Sequence, residues 1–217
     1  MRVMHPRWPR VLFDLDGTVV DTIPLIIESY AYALNEVLGL PLDEARARRW
    51  IGRALIDTFR EEYPGHAQEL FDAYVEFNKT AAPGLLRHVD GMESAIESLA
   101  AAGVRMGVAT SKRQSSAMQT LELAGLAAAF DVVVTAEDTH AHKPEPDPLW
   151  LAAERLGGDG PVAYVGDAVV DIQAAKAAGF ASVAVTWGAG DVEELRAAHP
   201  DEIVRTTAEL VRLVLGP

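Results

Sequence analysis

The chain contains no cysteine among its 217 residues. A disulfide framework and a thiolate metal site are both excluded, and so is a small secreted domain held together by bridges. Long apolar runs are also missing, since no stretch approaches the roughly 18 uninterrupted residues of a membrane-spanning helix. Positive charge is scarce. Lys plus Arg number 19 against 32 Asp plus Glu, a net charge of −13, which argues against nucleic acid or an anionic membrane surface as partner. The opening MRVMHPRWPR is basic but holds two prolines and no apolar core, so no targeting segment is expected and the cytoplasm is the expected compartment. Internal repeats and low-complexity tracts are absent as well.

What remains is 49% hydrophobic and 24% charged, enough for one ordinary domain with a substantial core and room for an insertion. The most informative stretch is Val11-Leu12-Phe13-Asp14-Leu15-Asp16-Gly17-Thr18. Three bulky apolar residues predict a buried strand, and two acids one residue apart at its end serve no packing purpose. Gly17 permits a backbone bend that gathers amide groups around an anion. Two carboxylates alone would repel a phosphate, so a hard cation between them and the substrate is implied, and Mg²⁺ with oxygen ligands is the usual answer.

Beyond Thr18, residues 22–38 place Ile23, Ile26, Ile27, Tyr30, Ala33, Leu34, Val37 and Leu38 at the three- and four-residue intervals of one apolar helix face. Gly39 ends this helix. Shorter helical patterns cover about 43–50 and 55–62, then a longer one 66–79, and Pro83-Gly84 closes an all-helical block. The rhythm then alternates: helices over 91–102, 112–124, 148–156 and 169–178, strands over 104–109, 131–134, 162–165 and 182–185. Segments 191–198, 202–204 and 207–215 complete the chain. Such alternation predicts a doubly wound α/β fold with a parallel sheet. Residues 22–82 interrupt it as an inserted all-α cap on a core formed by 1–21 and 83–217, through connections near 19–22 and 82–91.

In open sheets of this kind, ligands bind beyond the carboxyl ends of the strands. The polar residues expected there are Asp14 and Asp16, Thr110 and Ser111, Lys143 in the loop 135–147, and Asp167. Ser111 is also placed to cap the helix starting near Lys112. His140 and His142 lie in the lysine's loop, but without a third ligand nearby they read as ordinary loop residues.

Four segments in order carry a resemblance: DLDGTVVD from Asp14, ATS at 109–111, KPEPD from Lys143, and VGDAVVD at 165–171. With them the chain resembles haloacid dehalogenase superfamily phosphohydrolases that carry a helical cap after the first strand, nearest to phosphoglycolate phosphatases and small pyrophosphatases. The resemblance implies a Rossmann-like core and an Mg²⁺-dependent phosphatase for a small phosphorylated metabolite. Asp14 would be the nucleophile forming an aspartyl-phosphate, and Asp16 the general acid and base. Asp14, the Asp16 carbonyl and Asp167 would hold Mg²⁺, with Asp171 behind them on Lys143 or a metal-bound water. Thr110 would hold phosphoryl oxygens beside Ser111, and Lys143 would neutralise their charge. Arg53, between two short cap helices, would grip a second anionic group of the substrate. Asp21 orients the connection into the cap or caps the helix that follows.

Inorganic pyrophosphatase and a β-phosphoglucomutase-type phosphomutase share these core residues and stay open as alternatives. A phosphoacceptor module of the receiver type fits less well, because such modules carry their aspartate after the third strand, which here ends in Val134-Thr135. The expected assembly is a monomer or homodimer.

Overall fold

A computed structural model describes residues 6–216. Met1–His5, half of the basic opening stretch read above as carrying no targeting signal, lie outside the described residues.

Strand β1 (Arg10–Phe13) is the axis of a six-stranded sheet ordered β5-β4-β1-β6-β7-β8. The others are β4 (Arg105–Ala109), β5 (Val132–Val134), β6 (Val162–Gly166), β7 (Ala181–Val185) and β8 (Glu202–Val204). Every pairing in it is parallel, with β1 hydrogen-bonded on both edges so that Phe13 stands beside Val108 and Val165. A strand covered on both faces needs apolar residues at every position, and Val11, Leu12 and Phe13 are all fully buried. Their side chains alternate: Val11 and Phe13 pack with α5 (Met92–Ala101), α6 (Gln114–Leu123) and α10 (Thr207–Leu215). Leu12 packs on the opposite face with α7 (Asp147–Leu156) and α8 (Val169–Ala178). A short helix α9 (Val192–Ala197) lies beside α8. The doubly wound arrangement follows from this two-sided burial.

Helices α1 (Ile23–Leu38), α2 (Glu44–Arg48), α3 (Leu55–Glu62) and α4 (Ala67–Leu85) fall between the first and second strands of the large sheet. They bury a separate cluster centred on Tyr30, whose ring meets Trp50, Phe59 and Tyr74 edge-on at centroid distances of 5.1, 5.7 and 4.9 Å. The two connections joining this block to the sheet are themselves paired, as β2 (Val20–Asp21) and β3 (Arg87–His88) form a small antiparallel ribbon. Two-residue strands leave no periodic signal, so the sequence offers no sign of them.

Pro83 does not end the last helix, which continues to Leu85. A helical proline leaves the carbonyl four residues earlier without its donor. Here that carbonyl, on Lys79, accepts from the Gln119 side chain at 3.1 Å, and the helix runs on. α2, in contrast, stops earlier than the pattern over 43–50 suggests. The chain turns through Gly52 at φ +90°, where a Cβ would come within 2.9 Å of the Ala168 Cβ, so the chain leaves helical geometry before Trp50. Among the described residues, no helix is long and apolar enough to cross a membrane.

Removing a fully buried ring from the helical cluster should be costly. Phe59, fully buried, is expected to lose about 3–5 kcal/mol on truncation in Phe59→Ala, read from the urea midpoint at unchanged m-value. A loss below about 1 kcal/mol would show that the cluster does not depend on it.

Candidate active site

The carboxyl ends of β1 and β6 lie side by side, because Phe13 pairs with Val165 and the Asp14 amide donates to the Val165 carbonyl at 2.8 Å. That register brings Asp14 and Asp167 together. The turn after Asp14 passes through Gly17 at φ +78°, where a Cβ would meet the Asp167 Oδ2 at 2.5 Å; glycine is required both by the backbone and by the carboxylate it faces. Thr18 Oγ1 donates to Asp167 Oδ1 at 3.0 Å and the Ala189 amide to Oδ2 at 2.7 Å.

Lys143 reaches the same spot from the loop after β5. Its ammonium donates to Asp171 Oδ1 at 2.6 Å and to the Tyr164 hydroxyl at 3.0 Å, and stands 3.0 Å from Asp14 Oδ1. The Asp171 Oδ2 accepts the Ala168 amide at 2.9 Å, so one carboxylate both caps α8 and anchors the lysine. Asp14, Lys143, Asp167 and Asp171 are all buried.

Burial dominates the electrostatics. It pushes the Asp14 carboxyl up from 3.8 to about 7, against the opposing pull of Lys143 and with the help of the Asp171 and Asp16 charges. Burial also raises Asp167 well above the carboxylate range, helped by Asp171 and Asp14 and opposed by the Ala189 amide and Thr18 hydroxyl. Lys143 would be lowered by burial, but Asp14 and Asp171 outweigh this and hold it well above its usual value.

Carboxylate oxygens of Asp14, Asp167 and Asp171 lie within 4.8 Å of one another. With all three ionised and Lys143 charged, the cluster carries a net −2, which a divalent cation would neutralise. Asp14 Oδ1 is buried with the Lys143 ammonium 3.0 Å away. An all-oxygen donor set carrying this excess negative charge suits a hard cation of the Mg²⁺ type.

Asp16 turns away from this trio. Its Oδ1 accepts the Thr22 hydroxyl at 2.7 Å and the Lys112 ammonium at 2.9 Å, which places it on the wall of a cavity of about 370 Å³ shared with Asp14, Thr110 and residues of the helical block. Lys112 escaped the sequence reading. Its one signal is adjacency to the ATS segment, since nothing local tells a lysine at a helix entrance that it faces an acid 96 residues away. Asp21 caps α1 through the Ile23 amide at 3.3 Å, which frees the Thr22 hydroxyl for Asp16.

Thr110 is buried and lines the cavity, its hydroxyl accepting the Lys112 amide at 3.2 Å. Ser111 does not cap the following helix. α6 begins only at Gln114, whose amide donates to the Glu137 carboxylate at 2.7 Å; an acid from another loop supplies the cap at the positive helix end. Ser111 is thereby free to donate to the Gly52 carbonyl at 2.7 Å, joining the sheet to the helical block. His142 makes a second joint, with Nδ1 2.8 Å from Asp57 and Nε2 3.1 Å from the Ala136 carbonyl. Arg53 lines the cavity with its guanidinium paired to Glu61.

Residues 11–185 match the family described as haloacid dehalogenase-like hydrolase. A relative named pyrophosphatase PpaX from Bacillus velezensis is 33% identical over 208 residues, covering 95% of this chain and 96% of its own. One named probable phosphatase IndB, from Dickeya dadantii, is 37% identical over 214 residues, covering 94% and 92%. A crystal structure of a predicted phosphatase from Clostridium acetobutylicum superposes with a TM-score of 0.86 at 31% identity, covering 96% of this chain and 98% of that one.

The raised Asp14 sets a sign for metal-free stability. Between its unfolded value of 3.8 and about 7, the folded state binds more protons than the unfolded one. This contribution is fully present below 3.8 and is lost as pH rises through 7. Metal ligation needs the deprotonated form, so the Mg²⁺-induced rise in Tm is expected to grow from pH 5 to pH 8. A rise of equal size at both, or none at either, would exclude the Asp14 cluster as the binding site.

Proposed function

Because the chain belongs to the haloacid dehalogenase-like hydrolase family and is a phosphatase, we propose that it removes phosphate from a small phosphorylated metabolite through an aspartyl-phosphate formed on Asp14. The observation that carries this is the buried Asp14 carboxylate on a cavity wall, its Oδ1 3.0 Å from the Lys143 ammonium. A carboxylate raised by burial, with its compensating cation fixed beside it, is a nucleophile held out of water.

Asp14 attacks phosphorus in line with the leaving oxygen. Lys143, immobilised by Asp171 and Tyr164, neutralises charge on the transferring group, and Thr110 hydrogen-bonds a phosphoryl oxygen. Asp16 protonates the leaving oxygen and then takes a proton from the water that cleaves the acyl phosphate. Thr22 and Lys112 hold its carboxylate on the cavity side, where a leaving group passes. Asp14 and Asp167, with the Asp16 backbone carbonyl, are the residues that would hold Mg²⁺, which when bound supplies charge neutralisation and orientation of the phosphoryl oxygens.

Residues 22–82 act as a cap in this reading. The Ser111 to Gly52 and His142 to Asp57 contacts hold it over the cavity, excluding bulk water during transfer, and its release frees product. Hydrolysis of an anhydride such as pyrophosphate is the second reading, and the 33% identity to a relative of that name supports it.

Asp14→Asn is expected to lower hydrolysis of an aryl phosphate by about 10³-fold or more at an unchanged circular dichroism spectrum. Retention of more than a few per cent would remove Asp14 as nucleophile. EDTA should stop turnover reversibly, with Mg²⁺ restoring it, and activity indifferent to EDTA would contradict the metal assignment. Ser111→Ala is expected to raise KM severalfold while changing kcat less, as a contact that holds the cap closed is lost. An unchanged KM would show that this contact does not hold the substrate site together.

A further inference from the structure

The walls of the cavity differ sharply between its two ends. At the sheet end it is bounded by Asp14, Asp16 and Thr110, whereas the helical block contributes mainly Ile26, Tyr30, Trp50, Leu55, Phe71 and Val75, with Arg53, Gln68 and Asn78 among them. All six of the apolar and aromatic residues belong to or pack against the block's own core. The apolar wall is therefore continuous with a packed interior.

Cationic side chains also line the cavity, but each is paired. Lys112 is held by Asp16, with the two side chains only 8% and 14% exposed. Arg113 gives Glu137 Oε1 two hydrogen bonds, at 2.9 and 2.6 Å, and lies over the Phe71 ring at 5.5 Å. Arg53 is held by Glu61 and His142 by Asp57. A second anionic group on the substrate would compete with these carboxylates for the same cations, in a chain whose net charge is −13. It would also lose its hydration against aromatic and branched side chains, where an unpaired charge is strongly disfavoured. An apolar group entering the same space gains about 25 cal/mol per Å² of surface removed from water.

We infer that the part of the substrate bearing the phosphate is an apolar, ring-sized organic body, and not a carboxylate or a second phosphate. This rests on the phosphatase reading given above and narrows it. The cavity volume of about 370 Å³, at the low end for small-molecule sites, admits a phosphoryl group together with a body of that size. Phe71 and Tyr30 are among the side chains that line it.

The test compares kcat/KM for 2-phenylethyl phosphate, phosphoglycolate and pyrophosphate with Mg²⁺ present. The first two release aliphatic alcohols, so the comparison does not turn on an aryl leaving group. 2-Phenylethyl phosphate is expected to exceed both others by about tenfold or more, chiefly through KM. Equal or better turnover of phosphoglycolate or pyrophosphate overturns this inference and leaves the phosphatase reading standing. No hydrolysis of any phosphate overturns both. The ratio of 2-phenylethyl phosphate to phosphoglycolate turnover is then measured on Val75→Lys and Val75→Leu. Measured on one sample, that ratio does not depend on the fraction of folded enzyme. It should fall about tenfold in Val75→Lys and stay near wild type in Val75→Leu; an unchanged ratio in Val75→Lys overturns the inference.

Discussion

One buried ammonium holds the site together. Lys143 bridges Asp14 and Asp171 where bulk water has been removed, and each of these charges would be costly without the others. Removing Lys143 would leave carboxylates facing one another across a few ångströms. Removing Asp171 would release the lysine from the anchor that aims it at Asp14. The cluster is thus a single electrostatic unit, and its residual negative charge is one that a divalent cation would neutralise.

The sheet exists to make that unit possible. β1 is central, paired with β4 and β6, so its carboxyl end opens between two neighbours that also end in functional residues, Thr110 and Asp167. Strands buried on both faces cannot shift register without exposing apolar side chains. The positions of Asp14 and Asp167 are consequently set by core packing far from either carboxylate. Gly17 completes the arrangement by letting the chain turn without a side chain where Asp167 must sit.

The helical block plays a different part. It adds no group to the charged cluster, but its side chains line the cavity beside Asp14. Its aromatic cluster forms a buried core of its own. Hydrogen bonds through Ser111, His142 and Gln119 join it to the core, while the β2 and β3 ribbon ties its two connections to each other.

Much of this was legible in the chain itself. The apolar runs of the core strands, the helix periodicities and the acids and lysine at strand ends all follow from local patterns, because a buried strand and an amphipathic helix each impose a short repeat on the residues that form them. Asp14, Asp16, Thr110, Lys143 and Asp167 stand where strand-end reasoning puts them. Local patterns could not show that Lys112 reaches Asp16, that Glu137 takes over the capping role expected of Ser111, that Gln119 sustains the helix through Pro83, or that Arg53 is occupied by Glu61. Those outcomes depend on which side chains meet across loops tens of residues apart. Composition and spacing determine which elements form and which faces they bury, but partner choice among polar side chains belongs to the tertiary structure, since a hydrogen bond is satisfied by position in space and not by position in the chain.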